Sequence, residues 1–453
     1  MNSFRVIVVG AGVSGSLTAI GLLRRWRASR PLRITLLERS GDYGRGVAYS
    51  TPDDRHLLNV AACGMSAYPV ETDHFLDWIR SHGHEIEDRA FVRRKAFGDY
   101  IAHQLDEAQA AAGAGVVTRR DAEAVGIAPG LGALSVRLAD GDTLAGDVVV
   151  LATGVSRPAP VPGARDDIPG YLPDPWDHER LVALRAASRV LIVGTGLTMV
   201  DVALTLGSEA TGPQLTAVSR SGLMPRAHVS EACELIPPVA RPEDGPWTAD
   251  ALAAQVEAAA TRCSDWRAAI DSLRPVTQAL WRSMPPEEQA RFAARHGRRW
   301  EVHRHRMAPA VAEGIDAQLA TGRLAVRAGS VRVLGAVPGG VAVELDGRRE
   351  VFDAVVNATG PDLNVRRAGD PLLRSLLESG LAKPGPLDLG LATDAEGRCS
   401  EGVYAIGALR RGELWETTAV PEIRVQADAI ARTIAAQVAG DADDADAPAE
   451  FAA

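Results

Sequence analysis

Two unbroken apolar runs, far apart in the chain, set the pattern. Val6-Ile7-Val8-Val9 stops at Gly10, and Val190-Leu191-Ile192-Val193 stops at Gly194. Four apolar residues in succession leave no polar face, so each run predicts a strand covered on both sides, as in a parallel sheet. Apolar positions at helical spacing follow, through about Ala28 in the first case and about Leu206 in the second. A further strand closes each segment, Arg33–Glu38 and Leu215–Arg220. Strand, glycine turn, helix, strand is one βαβ unit, and the chain holds two.

The remaining pattern arranges itself around these units. A helical stretch (about 71–112) and a β-rich passage ending in Ala152-Thr153-Gly154 follow the first, and the Pro-rich segment Arg157–Pro175 reads as a linker. After the second unit, Thr248–Leu319 has helical periodicity broken at Pro285-Pro286. That length exceeds an ordinary βα connection, so it predicts a helical insertion over about 225–320. Strands return at Leu324–Val333, Val341–Leu345 and Val351–Asn357, the last closing on Ala358-Thr359-Gly360. A final helix (about Pro421–Ala439) leads into the acidic tail 440–453, expected to be disordered. The expected fold class is α/β. Two Rossmann-like domains are expected, the first (1–158 and 361–439) interrupted by the second (159–360).

Composition narrows the chemistry. At 453 residues, 46% hydrophobic and 24% charged, the chain is ordinary globular material. A net charge of -9 argues against general binding to nucleic acid or anionic membranes. Only Lys95 and Lys383 are lysines, so phosphate contacts fall to Arg or to backbone amides. Cys63, Cys233, Cys263 and Cys399 stand far apart with no CxxC, which leaves no zinc knuckle and no local redox dithiol. The apolar run at Val6 is too short for a secretory segment, and none approaches the roughly 20 residues of a membrane span. A cytoplasmic location is therefore expected.

Gly10-x-Gly12-x-x-Gly15 lies between a strand and a helix, the context a dinucleotide fingerprint requires. Gly10 serves the tight turn, Gly12 the close approach of a pyrophosphate, and Gly15 the helix–strand packing. Val13 and Ser14 open the helix, whose free amides and dipole favour phosphate. Glu38, ending the next strand, is placed for ribose hydroxyls, with Arg39 beside it. In the second fingerprint, Gly194-x-Gly196 followed by Leu197 and Thr198, Met199 replaces the third glycine. Aligning the closing strands sets Ser219 against Glu38 and Arg220 against Arg39. Without the carboxylate a 2′-phosphate is not repelled, and Arg220 can pair with it. NADPH is the expected nucleotide there, although an Arg merely facing solvent is the plainer alternative.

Two unlike dinucleotide units in one chain resemble the flavoproteins in which an N-terminal FAD domain is interrupted by an NAD(P)H domain. Among them the chain is similar to the bacterial YdhS-like FAD/NAD(P)-binding proteins, over nearly its whole length to about Ala439. The likeness is carried by Gly44-Arg45-Gly46-Val47-Ala48-Tyr49-Ser50, His56-Leu57-Leu58-Asn59-Val60, Gly194 to Asp201, and Gly407 to Glu416. More distantly the chain resembles class B flavin monooxygenases, the flavin-containing and N-hydroxylating kind. That likeness rests on Leu151-Ala152-Thr153-Gly154 ahead of prolines and on Asn59 ahead of Met65 and Pro69. It implies FAD contacts at Arg45, Asn59, Met65, Thr153, Gly154, Gly407, Ala408 and Thr418. It also implies a catalytic role for Asn59, supporting the oxygenated flavin. As residues alone, Asn59 reads equally as a turn or a simple flavin contact.

The chain departs from these families in two places. Ala408 stands where such flavoproteins place an Asp on the ribityl chain, so backbone amides near Gly407, or Arg410, are expected to replace it. A Phe-x-Gly-x-x-x-His signature is missing, and Trp176 in Pro173–Asp177 is either a cofactor neighbour or a plain linker residue. In the insertion, Arg291, Arg295, Arg298, Arg299, Arg304 and Arg306 gather with His303 and His305. They form either an anion pocket or a solvated face balanced by glutamates. His303-x-His305 and His82-x-His84 are poor metal pairs, since i and i+2 diverge on a helix, and no metal is expected. Cys63 is expected to be an inert thiol. The reading is an FAD-dependent, NADPH-using oxidoreductase, monooxygenase-like, acting on a small polar metabolite with molecular oxygen. A reductase or oxidase without oxygen insertion, or a non-catalytic redox sensor, stays open, as does a homodimer.

Overall fold

The computed structural model describes residues 3–207, 212–231, 233–367 and 369–445, with side chains to 439. A six-stranded sheet runs, edge to edge, Arg398–Ser400, Val403–Ala405, Val148–Leu151, Phe4–Val9, Leu32–Leu37, Val117–Arg120. All its pairings are parallel except that of the Arg398–Ser400 edge. The apolar run folds as its pattern demands. Phe4, Val6 and Val8 point to a helical layer (Val13–Arg25, Arg94–Ala112, Val420–Ala445), while Ile7 and Val9 point to the opposite face. That second face is covered by an antiparallel sheet of Ala124–Pro129, Leu134–Leu138 and Thr143–Gly146 and by the helix Pro371–Glu378.

The second unit repeats the scheme. Its five strands are Leu324–Ala328, Gln214–Ser219, Arg189–Val193, Ala354–Asn357 and Tyr171–Leu172, all parallel. Val190 and Ile192 face helices, whereas Leu191 and Val193 face an antiparallel sheet of Val331–Val337, Gly340–Leu345 and Arg348–Phe352. Each half therefore reads strand, helix, strand, third strand, antiparallel meander, return strand.

Several boundaries differ from the sequence reading. The Pro-rich segment is more than a linker, because Tyr171–Leu172 becomes the edge of the second sheet. The apolar stretch Val351–Asn357 is two strands in two sheets, parted at Asp353. The helix Pro309–Ala320 packs Val311, Ala312 and Ile315 on Val200 and Ala203, so it belongs to the core of the second unit. The inserted helices are the five from Ala249–Arg262 to Gly297–Arg304. The last helix continues to Ala445, beyond the expected start of the tail, and residues 446–453 lie outside the described residues.

Polar contacts join the two units. Arg94 donates to both carboxylate oxygens of Asp201, at 2.6 and 3.0 Å, with both side chains nearly buried. Thr205 donates to Asp53, and His56 is wedged between Thr51 and the Asp201 and Thr205 oxygens. The chain crosses between sheets at one point, where Pro158 and Pro361 form a bridge and Asp362 N donates to Arg157 O at 3.1 Å.

Candidate functional site

The two glycine turns are built alike. Gly10 has φ 91°, and a Cβ there would lie 2.3 Å from Ala152 O on the return strand. Gly194 has φ 121°, with Ala358 O at 2.0 Å from the same imagined atom. Both turns thus sit against an Ala-Thr-Gly ending, which places Thr153 and Gly154 beside Gly10. A Cβ at Gly15 would meet Gly10 O at 1.9 Å, so that glycine is fixed by helix–strand packing. Gly12 and Gly46 face each other backbone to backbone, a Cβ at Gly12 falling 3.1 Å from Gly46 Cα. The helices opening at Val13 and Leu197 both lack a side-chain cap and an acidic residue in the first turn. Their leading amides, including those of Ser14 and Thr198, have no side-chain acceptor, as a phosphate site requires. The residues fit a dinucleotide at each turn.

Around the first turn, Glu38 accepts from Ala11 N at 3.0 Å and from Ser40, which fixes its carboxylate at the strand end. Arg39 points outward to Glu123. Arg45 is held by Asp42 and Asp99, so its position is set by carboxylates. Met65 is buried in the core beneath this layer. Gly407 (φ 71°) lies over Ser14, its N–H donating to Gln426 Oε1 at 3.1 Å and its carbonyl accepting from Thr417. Two of the groups expected to replace the ribityl Asp beside the buried Ala408 are already engaged. The Gly407 amide is spent, and Arg410 donates to Thr393 Oγ1 and to the carbonyls of Asp394 and Ala395. Burial, reinforced by Arg282, lowers Arg410 to about 10. Arg410 is a structural strut.

Around the second turn, Met199 is fully buried, so helix packing tolerates a side chain in place of the third glycine. Ser219 Oγ meets Thr195 Oγ1 at 2.8 Å, while Arg220 is exposed and forms no ion pair among the described residues. Arg298 reaches here from the insertion. It donates to Leu223 O at 2.7 Å and Thr195 Oγ1 at 3.3 Å, and its Nη1 lies 3.7 Å from where a Gly196 Cβ would be. The arginine cluster read from the sequence disperses. Arg291, Arg295 and Arg299 pair with Glu288, Asp250 and Glu257, Arg306 is buried on Asp271, and Arg298 alone reaches the glycine turn. Local spacing could not separate them, because apart from Glu288, one turn from Arg291 on the same helix, the partners lie on other elements.

Two clefts lie between the units. One is bounded by Val47, Thr51, His56, Trp176, Thr198 and Asp201, which places Trp176 beside the second fingerprint helix. The other joins Asn59 to Thr418 and Ala419, just ahead of the final helix, and to Arg274, Arg304, His305, Glu416 and Glu422. Asn59 is fixed through its backbone carbonyl, which accepts from His228 Nε2 at 3.0 Å. Arg304 and Glu416 form a nearly buried pair at 3.0 Å, flanked by Glu422 and Arg274. Burial, with Arg304 and Arg411 next in effect, pushes His305 down to about 3, so it is neutral in this cleft. His305 entered the sequence reading as a member of the arginine cluster and as half of a metal pair. The four cysteines are free, and no group of three or more His, Cys, Asp or Glu converges among the described residues. No helix among them is long and apolar enough to cross a membrane.

Residues 7–156 match the model of the FAD-NAD(P)-binding family. Among curated protein sequences none matches the chain. Three solved structures show how widely the fold is shared. Ornithine N-hydroxylase from Kutzneria sp. 744, described with FADred, NADP+ and L-orn, is 16% identical with TM-score 0.62, over 96% of this chain and 99% of that one. L-lysine 6-monooxygenase from Pseudomonas syringae is 18% identical with TM-score 0.63, over 96% and 100%. Bacillithiol disulfide reductase from Staphylococcus aureus is 13% identical with TM-score 0.58, over 96% and 99%. The chain has the α/β fold of these two-dinucleotide flavoproteins, with residues 7–156 matched to the FAD-NAD(P)-binding family by sequence.

Proposed function

We propose that the protein is an FAD-dependent, NADPH-using oxidoreductase of the N-hydroxylating monooxygenase kind, acting on a small molecule with a polar reacting group. One observation carries the reading: Asn59, the start of the final helix and a neutral His305 converge in a polar cleft where the first unit meets the insertion. The narrower likeness to YdhS-like proteins rests on the motifs that suggested it. When bound, FAD and NADPH would supply the electrons that reduce oxygen.

The chain's own residues do the rest. Gly10, Gly12, Val13, Ser14 and Gly15 would hold the FAD pyrophosphate, with Glu38 on the ribose. Gly194, Gly196, Leu197 and Thr198 would hold that of NADPH, with Arg298 at the pyrophosphate and Ser219 and Arg220 at the 2′-phosphate. Asn59, held through its backbone, would offer its side-chain amide as a donor toward the reacting atoms. Neutral His305 offers one donor and one acceptor without adding charge. The Arg304–Glu416 and Arg274–Glu422 pairs leave the cleft lined by balanced charge, suited to orienting a polar group.

The test is the fate of oxygen. With NADPH and a substrate that stimulates its oxidation, oxygenated product should form in step with NADPH consumed. Asn59→Ala should divert that flow to hydrogen peroxide while FAD stays bound. Unchanged coupling removes Asn59 from the mechanism, and NADPH oxidation with no oxygenated product at all leaves a reductase or oxidase.

A further inference from the structure

The insertion encloses a chamber of ≈ 430 Å³ that the reading above does not use. Its walls include Trp266, Trp281, Trp300, Trp415, Phe292 and Met284. Trp281 and Trp415 are stacked, with ring centroids 4.6 Å apart, Phe292 meets Trp415 edge-on, and the Arg411 guanidinium lies 4.3 Å from the Trp415 ring centroid. A volume of this size and an apolar, aromatic lining are those of small-molecule pockets.

Trp415 supplies two independent oddities. Its backbone has φ 59° and ψ −59°, and Glu416 N donates to Leu414 O at 2.6 Å, so Trp415 is the centre of a γ-turn with positive φ, a rare and strained form. Trp281 Nε1 donates to Gly412 O at 2.6 Å and Trp300 Nε1 to Glu416 Oε1 at 3.0 Å. Among the described residues Trp415 Nε1 has no partner, although it is buried in a residue only 5% exposed. Strain and an unmade hydrogen bond in one side chain are costs that persist where surrounding structure or a ligand compensates.

The mouth has a latch. Helix Ala249–Arg262 contributes Asp250, Leu252, Ala253, Val256, Glu257 and Ala260 to the lining. It is tied across the chamber by Glu257–Arg299 at 2.8 Å and by Asp250–His296 at 2.7 Å. Both pairs are exposed, and such pairs are weak, while Ala249 and Leu252 of the same helix pack into the core of the insertion.

We propose that this chamber is a binding site for a planar, apolar molecule of one or two fused rings, seated against Trp281 and Trp415 beneath helix Ala249–Arg262. The flat face answers the stacked indoles. Because Trp415 precedes Glu416, which lines the Asn59 cleft, occupancy is felt one residue from that cleft.

The experiment uses the FAD-loaded full chain and the neutral fluorophore N-phenyl-1-naphthylamine, followed by its own emission and by tryptophan quenching. One saturable site is expected, undisturbed by excess FAD or NADPH. Ala260→Trp and, separately, Ala253→Phe fill the chamber from the latch helix and should weaken binding at least tenfold with FAD content unchanged. Trp415→Phe, which thins the stacked pair, should weaken the fluorophore with FAD content unchanged, and naphthalene should displace the fluorophore from the parent protein. Binding absent in the parent protein, competed by either nucleotide, or unaffected in both filled variants overturns the proposal. Because no turnover is measured, this outcome is independent of the oxygen assay.

Discussion

Arg298→Ala tests how the insertion serves the second nucleotide turn. The side chain is tied down by Leu223 O at 2.7 Å and Thr195 Oγ1 at 3.3 Å, with Nη1 directed at Gly196, where a Rossmann turn meets a pyrophosphate. A hydrogen bond to a charged group is worth about 1.5–3 kcal/mol, and 1.4 kcal/mol is about tenfold in affinity. Arg298 is about one-third exposed, and it must share donors with its two present acceptors, so the lower half of that range applies. The expected rise in KM is about 10- to 40-fold, with kcat and FAD content little changed. Because the contact is to the pyrophosphate, NADPH and NADH should be affected alike in steady-state oxidation assays. Arg220→Ala, at the 2′-phosphate position, should weaken NADPH by about tenfold and leave NADH untouched. An Arg298→Ala enzyme with an unaltered KM for both nucleotides, or one impaired for NADPH alone, refutes the placement.

Other perturbations probe the scaffold. Gly10→Ala places a methyl group 2.3 Å from Ala152 O at φ 91°, and should cost about 2–4 kcal/mol in denaturant unfolding together with most bound FAD. Arg94→Met leaves the Asp201 carboxylate nearly buried and unpaired, so stability should fall by about 3 kcal/mol, and unfolding should separate into two transitions as the units uncouple. His228 is lowered from 6.5 to about 4 by burial and then by Arg306, so between those values the unfolded chain holds a proton that the folded chain does not. Stability therefore rises with pH through this window and is lost on acidification, by up to about 3 kcal/mol, and His228→Asn should flatten that slope in pH-resolved denaturation.

Both βαβ units were legible because their information is local. A glycine turn, an apolar run and a helix occupy some 25 consecutive positions, and the same backbone clashes recur at Gly10 and Gly194. The strand split at Asp353 was not, since Phe352 and Ala354 are both apolar and only their assignment to different sheets tells them apart. Met199 looked like a defect in the second fingerprint but is simply buried. The arginines of the insertion shared one stretch of sequence yet face partners as distant as Thr195 and Glu416. His305 carried no signal beyond its type. What makes it notable is burial among four arginines, a property of packing rather than spacing.

The bridge at Pro158 and Pro361 has an evolutionary and an engineering consequence. Segments that leave and rejoin a sheet at the same spot let an entire folded unit be spliced in without stretching its host, because the host sees only a short loop between adjacent ends. The repeated plan of the two halves then reads as one nucleotide-binding module planted inside another. A short Gly-Ser connection replacing residues 159–360 spans the same gap, but it strips Asp201 from Arg94 and Trp281 from Trp415, so a stable remnant needs those buried partners replaced as well.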